Sequence, residues 1–205
     1  MRIGIDFDNT IAGYDALFVS LAEEQGLFAR APAGKTELRD ALRRRPDGEM
    51  AWRRLQAMAY GPRMAAAALL DGADDFIRAC HADGHRVRIV SHKTRFANYA
   101  SDGTDLRQAA TAWLDEQGFF DAGDLGLRPD DVFFEDTRAA KVDRIHDLGC
   151  DWFIDDLPEV FAEPGYPAAT RAVLYDPHAT AAADAAILHC RHWHEIGEHL
   201  LGAAH

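Results

Sequence analysis

Acidic side chains form two groups that lie far apart in this sequence, and a serine and a lysine lie between them. In chain order, the polar residues that could act together are Asp6, Asp8, Thr10, Ser91, Lys141, Asp155 and Asp156. Four carboxylates in one cleft would resist joint ionisation unless a cation lay among them. Oxygen ligands without a histidine or cysteine favour a hard divalent ion, and Mg²⁺ suits a site that also meets phosphate. With an ammonium and a hydroxyl group added, such a site fits phosphoryl transfer, in which one carboxylate is free to attack.

Each of these polar groups follows, or lies beside, an apolar run that predicts a buried strand. The runs cover residues 2–7, 86–90, 132–134 and 152–154. Near-continuous apolar runs are typical of parallel strands that are buried on both faces. Helical segments alternate with the runs, so we predict an α/β fold, a doubly wound (Rossmann-like) parallel sheet. Ligands bind at the carboxyl ends of the strands in such sheets, and the polar groups are predicted to meet there.

A helical insertion interrupts this alternation between the first two strands. Glycine and proline stop signals divide it into helices at residues 14–25, 36–45, 50–60 and 64–70. We predict that residues 11–72 form a helical cap over the active edge, and that residues 1–10 and 73–205 form the core. Within the core we predict helices at residues 73–82, 104–118, 141–148 and 193–201, the second of them capped by Thr104, and a fifth strand at residues 172–175.

Composition excludes several classes of protein. The formal net charge of -12 argues against a nucleic-acid surface, because phosphate backbones are bound through clustered lysines and arginines. The cysteines at positions 80, 150 and 190 form no CxxC pair, so neither a disulfide framework nor a zinc site is predicted. The strand-like start leaves no room for a signal peptide, and no apolar run reaches the roughly 18 to 20 residues that span a bilayer. We expect a cytoplasmic protein without a membrane partner, and the sequence does not determine an oligomeric state.

The motifs resemble those of the haloacid dehalogenase (HAD) superfamily of hydrolases. The resemblance is carried, in order, by DFDNT at residues 6–10, VSHK around Ser91, Lys141, and IDD ending at Asp156. The helix before the second motif and the strand after the fourth match as well. The resemblance implies a phosphatase-type enzyme with a helical cap between the first two motifs and with bound Mg²⁺.

The resemblance also implies a mechanism with two carboxylates. Asp6 would be the nucleophile, forming an aspartyl-phosphate, and would also bind the metal. Asp8 would protonate the leaving alcohol and then activate water, and its backbone carbonyl would bind the metal. Dehalogenating members need no acid at the second position, so Asp8 favours a phosphatase.

The other motif residues receive supporting roles from the resemblance. Thr10 would orient the loop and belongs, with Ser91 and Lys141, to the predicted phosphate-binding group. Asp155 would bind Mg²⁺, with Asp156 close behind it. The predicted metal-binding residues are Asp6, Asp8, Asp155 and Asp156.

Substrate contacts are predicted from position alone. His92, Lys93 and Arg95 begin a loop whose turn at residues 98–104 would overhang the cleft, and we predict that Lys93 or Arg95 contributes to substrate binding. The cap arginines could bind a second anionic group, but such charges more often form a solvated helix face. A cap that closes over the cleft suits a small phosphorylated metabolite, such as a sugar phosphate or a nucleoside monophosphate.

Three other functions are compatible with the sequence. Phosphonate-cleaving relatives use a cap lysine to form a Schiff base, and Lys35 is the only lysine between the first two motifs. A phospho-accepting signalling domain combines similar groups, but its lysine comes last, whereas Lys141 precedes the second acidic pair here. A non-catalytic interaction role is the third. The histidines within residues 189–199 have no strict zinc spacing, so we do not predict a metal site there.

Overall fold

The structure, a computed structural model, describes residues 1–97, 103–182 and 184–202. In chain order, its strands are β1 (Arg2–Ile5), β2 (Ala12–Gly13), β3 (Ala68–Leu69), β4 (Arg86–His92), β5 (Val132–Glu135), β6 (Trp152–Asp155), β7 (Arg171–Tyr175) and β8 (Ile187–Cys190). Its helices are α1 (Asp15–Glu24), α2 (Lys35–Arg43), α3 (Gly48–Tyr60), α4 (Ala73–Ala82), α5 (Leu106–Glu116), α6 (Arg138–Leu148), α7 (Pro158–Phe161) and α8 (Trp193–Leu201). Within these described ranges, no helix has the length and apolar character needed to cross a membrane.

Six strands form one sheet in the order β5-β4-β1-β6-β7-β8. Every neighbouring pair is parallel, so the predicted α/β fold class is confirmed. From β1 the chain moves outward to β4 and β5, and it then returns to the other side of β1 for β6. Such a reversal next to the central strand opens a crevice at the carboxyl ends, where open α/β sheets bind ligands.

The sheet has one strand more than the sequence predicted. β8 pairs with β7, placing His189 opposite Leu174. The run at residues 187–190 follows an alanine-rich stretch and contains only two large aliphatic side chains. Because strand prediction depends on β-branched and aromatic residues, this segment carries a weak signal.

The prediction that residues 64–70 form a helix is wrong. The chain makes one 3₁₀ turn at Met64–Ala66, and β3 then pairs antiparallel with β2. Alanine-rich segments favour helix, but pairing with the segment that leaves β1 outweighs this intrinsic preference. The chain therefore leaves and rejoins the sheet through one short ribbon, and α1, α2 and α3 lie between its two strands in sequence.

The three helices of the insertion pack on one another through their apolar faces. Phe18 stacks on Trp52 with ring centroids 4.8 Å apart, and Leu38, Leu42 and Leu55 are fully buried beside them. Trp52 and Leu55, three residues apart on α3, are thus part of this interior. The name cap is used below for residues 11–72, and their status as a separate domain stays a prediction.

Two core helices begin at residues other than those predicted. α5 is capped by Asp105 rather than Thr104, because the Asp105 carboxylate accepts two backbone N–H bonds of the first turn, at 3.0 and 3.1 Å. α6 begins at Arg138 with Thr137 as its N-cap. Lys141 therefore lies in the first turn of α6, close to the helix end that faces the strand ends.

Candidate active site

A tight turn after β1 brings the first two acidic residues to one cavity. The Phe7 carbonyl accepts two backbone N–H bonds from the far side of the turn, at 3.0 and 2.9 Å. Asn9 has a φ of 60°, a left-handed conformation that asparagine tolerates better than most residues. Because the strand ends at Ile5, Asp6 and Asp8 are placed by this turn, and both line the cavity.

Lys141 joins the first and last acidic groups of the sequence. Its Nζ atom lies 2.6 Å from Asp6 Oδ1 and 2.6 Å from Asp155 Oδ2, and all three side chains are buried. Burial acts to lower the pKa of Lys141, but the two carboxylates outweigh it and hold the pKa above its usual value. The ammonium group therefore stays charged, and the predicted meeting of the two acidic groups is present in the fold.

Three carboxylates form a group that could hold a metal ion. Asp6, Asp155 and Asp156 each offer an oxygen within 4.8 Å of the others, and no other such group of acids, histidines or cysteines occurs among the described residues. Burial raises the pKa of Asp6 to about 7, opposed by Lys141 and reinforced by Asp155 and Asp8. Burial and the charges of Asp155 and Asp6 also raise the pKa of Asp156 well above its usual value. An all-oxygen group of three carboxylates with a single ammonium partner fits a hard divalent cation such as Mg²⁺.

Asp8 lies apart from these three carboxylates and is held by two donors. Lys93 Nζ lies 3.0 Å from Asp8 Oδ1 and 2.9 Å from Oδ2, and the Tyr14 hydroxyl donates to Oδ1. Burial, with the nearby Asp8 charge, raises the pKa of Tyr14 well above its usual value, so the hydroxyl stays a donor. The Asp8 carboxylate is therefore fixed in orientation outside the possible metal group. The role predicted for its backbone carbonyl stays a prediction.

A cavity of about 660 Å³ opens above these groups, between the strand ends and the cap. Its core wall includes Asp6, Asp8, Ser91, Lys141 and Asp156. Its cap wall includes Lys35, Arg53 and Tyr60. The volume lies within the range of small-molecule sites, so the cavity can enclose a metabolite.

The two predicted hydroxyl residues have different surroundings. Ser91 is buried at the carboxyl end of β4 and lines the cavity. Thr10 is buried but is not on the cavity wall. Its hydroxyl has no hydrogen-bond partner in the part of the chain that the structure describes. The phosphate-binding role of either residue stays a prediction.

The residues after Ser91 divide into two sets. His92 and Lys93 line the cavity. Arg95 does not; its side chain is 62% exposed and pairs with Asp105. Residues 98–102 of the predicted overhanging turn lie outside the described residues. Of the two residues proposed from sequence for substrate binding, Lys93 is the one that reaches the cavity.

Sequence reasoning missed two side chains that link cap and core. Asn9 accepts a hydrogen bond from Lys35 Nζ at 3.3 Å through Oδ1, and its Nδ2 donates to Asp156 Oδ2 at 3.3 Å. Tyr60, the last residue of α3, lies with its ring 4.9 Å from Lys93 Nζ and 5.5 Å from Lys35 Nζ. The position of Asn9 inside the first motif is a usable signal, whereas a tyrosine at a helix end has none.

Comparison with known proteins identifies a shared fold. No protein-family model matches the sequence, and no curated protein matches it. A HAD hydrolase of family IA, variant 3, from Entamoeba histolytica matches with a TM-score of 0.62 and 11% identity, over 98% of this chain and 97% of that chain. A HAD family hydrolase from Deinococcus radiodurans, with bound phosphate and sodium, matches with a TM-score of 0.55 and 16% identity, over 97% of this chain and 94% of that chain. A structure described as a dehalogenase matches with a TM-score of 0.55 and 15% identity, over 97% of this chain and 96% of that chain.

These matches extend over nearly the whole chain at low sequence identity. Likeness of this kind establishes the fold and leaves the activity to be argued from the site. This chain has the fold of HAD hydrolases, and the predicted resemblance is confirmed at the level of the fold.

Proposed function

We propose that this chain is a Mg²⁺-dependent phosphohydrolase of the HAD superfamily, which removes phosphate from a small phosphorylated metabolite. One observation carries the proposal: Asp6, Asp155 and Asp156 offer oxygens within 4.8 Å of one another, Lys141 contacts two of them, and the Asp8 carboxylate is held separately on the cavity wall. The phosphate bound to the Deinococcus radiodurans hydrolase of the same fold supports it.

Asp6 is the proposed nucleophile. Lys141 fixes its Oδ1 atom, and the backbone N–H of Asp6 donates to the Ile154 carbonyl at 2.8 Å, so the residue is anchored to the sheet. A carboxylate oxygen held in this way attacks phosphorus and displaces the alcohol, and the bond from phosphorus to the alcohol oxygen breaks. Water then cleaves the aspartyl-phosphate and releases phosphate. Each of these two displacements is easier than direct hydrolysis.

Asp8 is the proposed acid and base. Its protonated form gives a proton to the departing alcohol oxygen, and the resulting carboxylate takes a proton from the water that attacks the intermediate. Tyr14 and Lys93 keep the carboxyl group on the cavity wall. They act as positioning residues for both proton transfers.

The proposed cofactor is Mg²⁺, which Asp6, Asp155 and Asp156 would hold. When bound, the ion would offset the negative charge of the carboxylates and of the phosphoryl oxygens. Ser91 and Lys141 would bind phosphoryl oxygens from the strand-end side of the cavity. These assignments use only side chains that already lie in or beside the cavity.

Two other reactions of this fold fit the site less well. A halide leaves as an anion without needing a proton, so a dehalogenase has no use for the held Asp8 carboxyl group. A phosphonate-cleaving enzyme needs a neutral lysine to form a Schiff base. Burial acts to lower the pKa of Lys35, but Tyr60, Asp156 and Asp8 outweigh it and the pKa is raised. Lys35 therefore stays an ammonium group and is a poor amine nucleophile.

The proposal is tested by a screen of phosphorylated metabolites and a chromogenic phosphate ester, each with Mg²⁺ and with a chelator. We expect Mg²⁺-dependent release of phosphate, which Asp6→Asn abolishes together with the phosphoenzyme seen by mass spectrometry after acid quenching. Asp143→Asn, which removes an exposed carboxylate from α6, serves as the matched control and retains activity. Equal turnover with the chelator, or full activity of Asp6→Asn, would refute the proposal. A stable phosphoenzyme without turnover would favour a signalling role.

A further inference from the structure

All three lysines of this chain border the same cavity. They are Lys35, Lys93 and Lys141, and every other basic residue among the 22 lysines and arginines is an arginine. Two of the three have acidic partners, since Lys141 pairs with Asp6 and Asp155, and Lys93 pairs with Asp8. Lys35 differs from both, because no carboxylate of the described residues lies within ion-pair distance of its ammonium group.

The ammonium group of Lys35 is enclosed by aromatic rings instead. Its Nζ atom lies 5.9 Å from the ring centroid of Tyr14, 5.6 Å from that of Phe18 and 5.5 Å from that of Tyr60. Its nearest polar partner on the core is the Asn9 side chain at 3.3 Å. Rings attract a cation, but they replace only part of the hydration that the ammonium group has lost. Asp156 and Asp8 act on this ammonium group only from beyond contact distance, so a contacting anionic ligand would add a partner that the described residues do not supply.

The backbone holds Lys35 in this position. The residue before it, Gly34, has a φ of 108°, which favours glycine. The backbone N–H of Lys35 donates to Asp15 Oδ1 at 2.8 Å, which ties the start of α2 to α1. The glycine turn and the bond between the two helices thus fix the backbone of Lys35 beside the cavity.

The core wall of the cavity carries charges of both signs, whereas the described cap wall carries positive charge alone. Among the described residues, the carboxylates that line it are Asp6, Asp8 and Asp156, and all three belong to the core. The cap wall has Lys35 and Arg53 and no acidic residue within the described part of the chain. In a chain whose formal net charge is -12, a cap wall with cationic residues and no carboxylate favours a substrate that carries an anionic group on that side.

We propose that Lys35 binds a second anionic group, carried by the alcohol part of the phosphate ester, and so selects phosphate esters of acidic alcohols. The proposal rests on the proposed phosphohydrolase function. The phosphoryl group would occupy the strand-end side of the cavity, and the second group, a carboxylate or another phosphate, would lie against the cap. A charge-assisted hydrogen bond to the ammonium group would then hold the alcohol part in place until it leaves.

The test compares esters that differ in one anionic group. For a carboxylate, the pair is the phosphate ester of hydroxypropanoate and that of its uncharged amide; for a phosphate, the pair is propanediol bisphosphate and propanediol monophosphate. kcat and KM are measured for the wild type, Lys35→Met and Lys35→Arg. Arg39→Gln is the matched control, because it removes a positive charge from the same helix at a residue that pairs with Asp40 away from the cavity.

We expect the wild type to favour the charged member of at least one pair by about tenfold or more in kcat/KM. Lys35→Met should lose that preference through KM, while Lys35→Arg and Arg39→Gln keep it. The pair that shows the preference identifies the anionic group as carboxylate or phosphate. Equal use of both members, or a preference that survives in Lys35→Met, would overturn the inference and leave the phosphohydrolase intact. Failure to hydrolyse any ester would overturn the proposed function and, with it, this inference.

A binding measurement on a chain that retains Lys35 does not depend on the folding of Lys35→Met. Because the sequence contains three lysines, protein with isotopically labelled lysine gives only three side-chain amine signals by NMR. In the Asp6→Asn background, which prevents turnover, the Lys35 signal should shift with the charged ester and not with its uncharged partner. A Lys35 signal that responds equally to both esters would contradict the inference.

Discussion

Replacing Asp6 with asparagine should stabilise the metal-free protein even though it removes the proposed nucleophile. Burial, opposed by Lys141 and reinforced by Asp155 and Asp8, raises the pKa of Asp6 to about 7 from 3.8. The folded protein therefore prefers the protonated carboxyl group, and its stability falls as the pH rises from the unfolded pKa to the folded one. A pKa shift of about three units means that ionisation of Asp6 lowers the free energy of unfolding by at most about 4 kcal/mol above neutral pH. Asparagine lacks this charge and still offers an oxygen to Lys141.

The stability that Asp6→Asn gains should be smaller than this bound, because Lys141 loses an ionic partner. We expect Asp6→Asn to raise the free energy of unfolding by ~1–3 kcal/mol at about pH 8, which corresponds to a Tm increase of about 2–12 °C for a chain of this size. The assay is thermal unfolding at about pH 5 and about pH 8, each with a chelator and with Mg²⁺. Asp143→Asn is the control for the loss of one negative charge.

The expected pattern has two parts. In the chelator, the Tm difference between Asp6→Asn and the wild type should widen from the lower pH to the higher one. Mg²⁺ should then narrow it by stabilising the wild type, because a ligand that binds only the folded state adds to stability. An Asp6→Asn protein less stable than the wild type at both pH values would show that the Asp6 carboxylate is net stabilising. An equal Mg²⁺ shift in both proteins would remove Asp6 from the metal group.

Three further outcomes are expected. Lys141→Met leaves buried carboxylates without their cation, so the free energy of unfolding should fall by about 3–5 kcal/mol in urea titrations; a loss under about 1 kcal/mol would show that the ion pairs are not needed. Tyr14→Phe should lower kcat by about threefold to tenfold, since Asp8 loses a donor but keeps another, with a loss of stability near 1 kcal/mol; an unchanged kcat would leave Tyr14 a purely structural role. Arg95→Ala should leave KM within about twofold, because the side chain does not reach the cavity; a larger rise in KM would mean that the loop closes over the substrate.

The strand ends were predictable because the signals there are local. Apolar runs of three to six residues predicted parallel strands, and the polar residue after each run is placed at one edge of the sheet by the register. Asp6 and Asp155 follow or end neighbouring strands, so their approach follows from strand order alone. The position of Lys141 was predictable because the helix after β5 begins near the same edge of the sheet. Its charge then explains why two buried carboxylates can lie together.

The cap wall was not predictable for the opposite reason. The position of Lys35 depends on the glycine turn before α2, on its bond to Asp15 and on the packing of α2 against α1 and α3. None of these is encoded within the neighbouring residues. Local sequence also failed to predict β3, because an alanine-rich segment with a preference for helix forms a strand by pairing with β2. Local sequence patterns thus predicted the residues at the strand ends, whereas the position of Lys35 depends on packing between distant segments.

The use of lysine, rather than arginine, between the buried carboxylates follows from the size of the two groups. An ammonium group is a compact point charge, whereas a guanidinium group is a wide planar fork. Nζ of Lys141 lies 2.6 Å from each of two buried carboxylate oxygens, and a fork at that position would have to displace one of them. Exposed ion pairs use arginine instead, as in the pairs of Arg43 with Glu49 and of Arg63 with Glu24. Lys35 is enclosed by rings and not by carboxylates, so arginine is acceptable there, and this difference is why Lys35→Arg should keep the substrate preference.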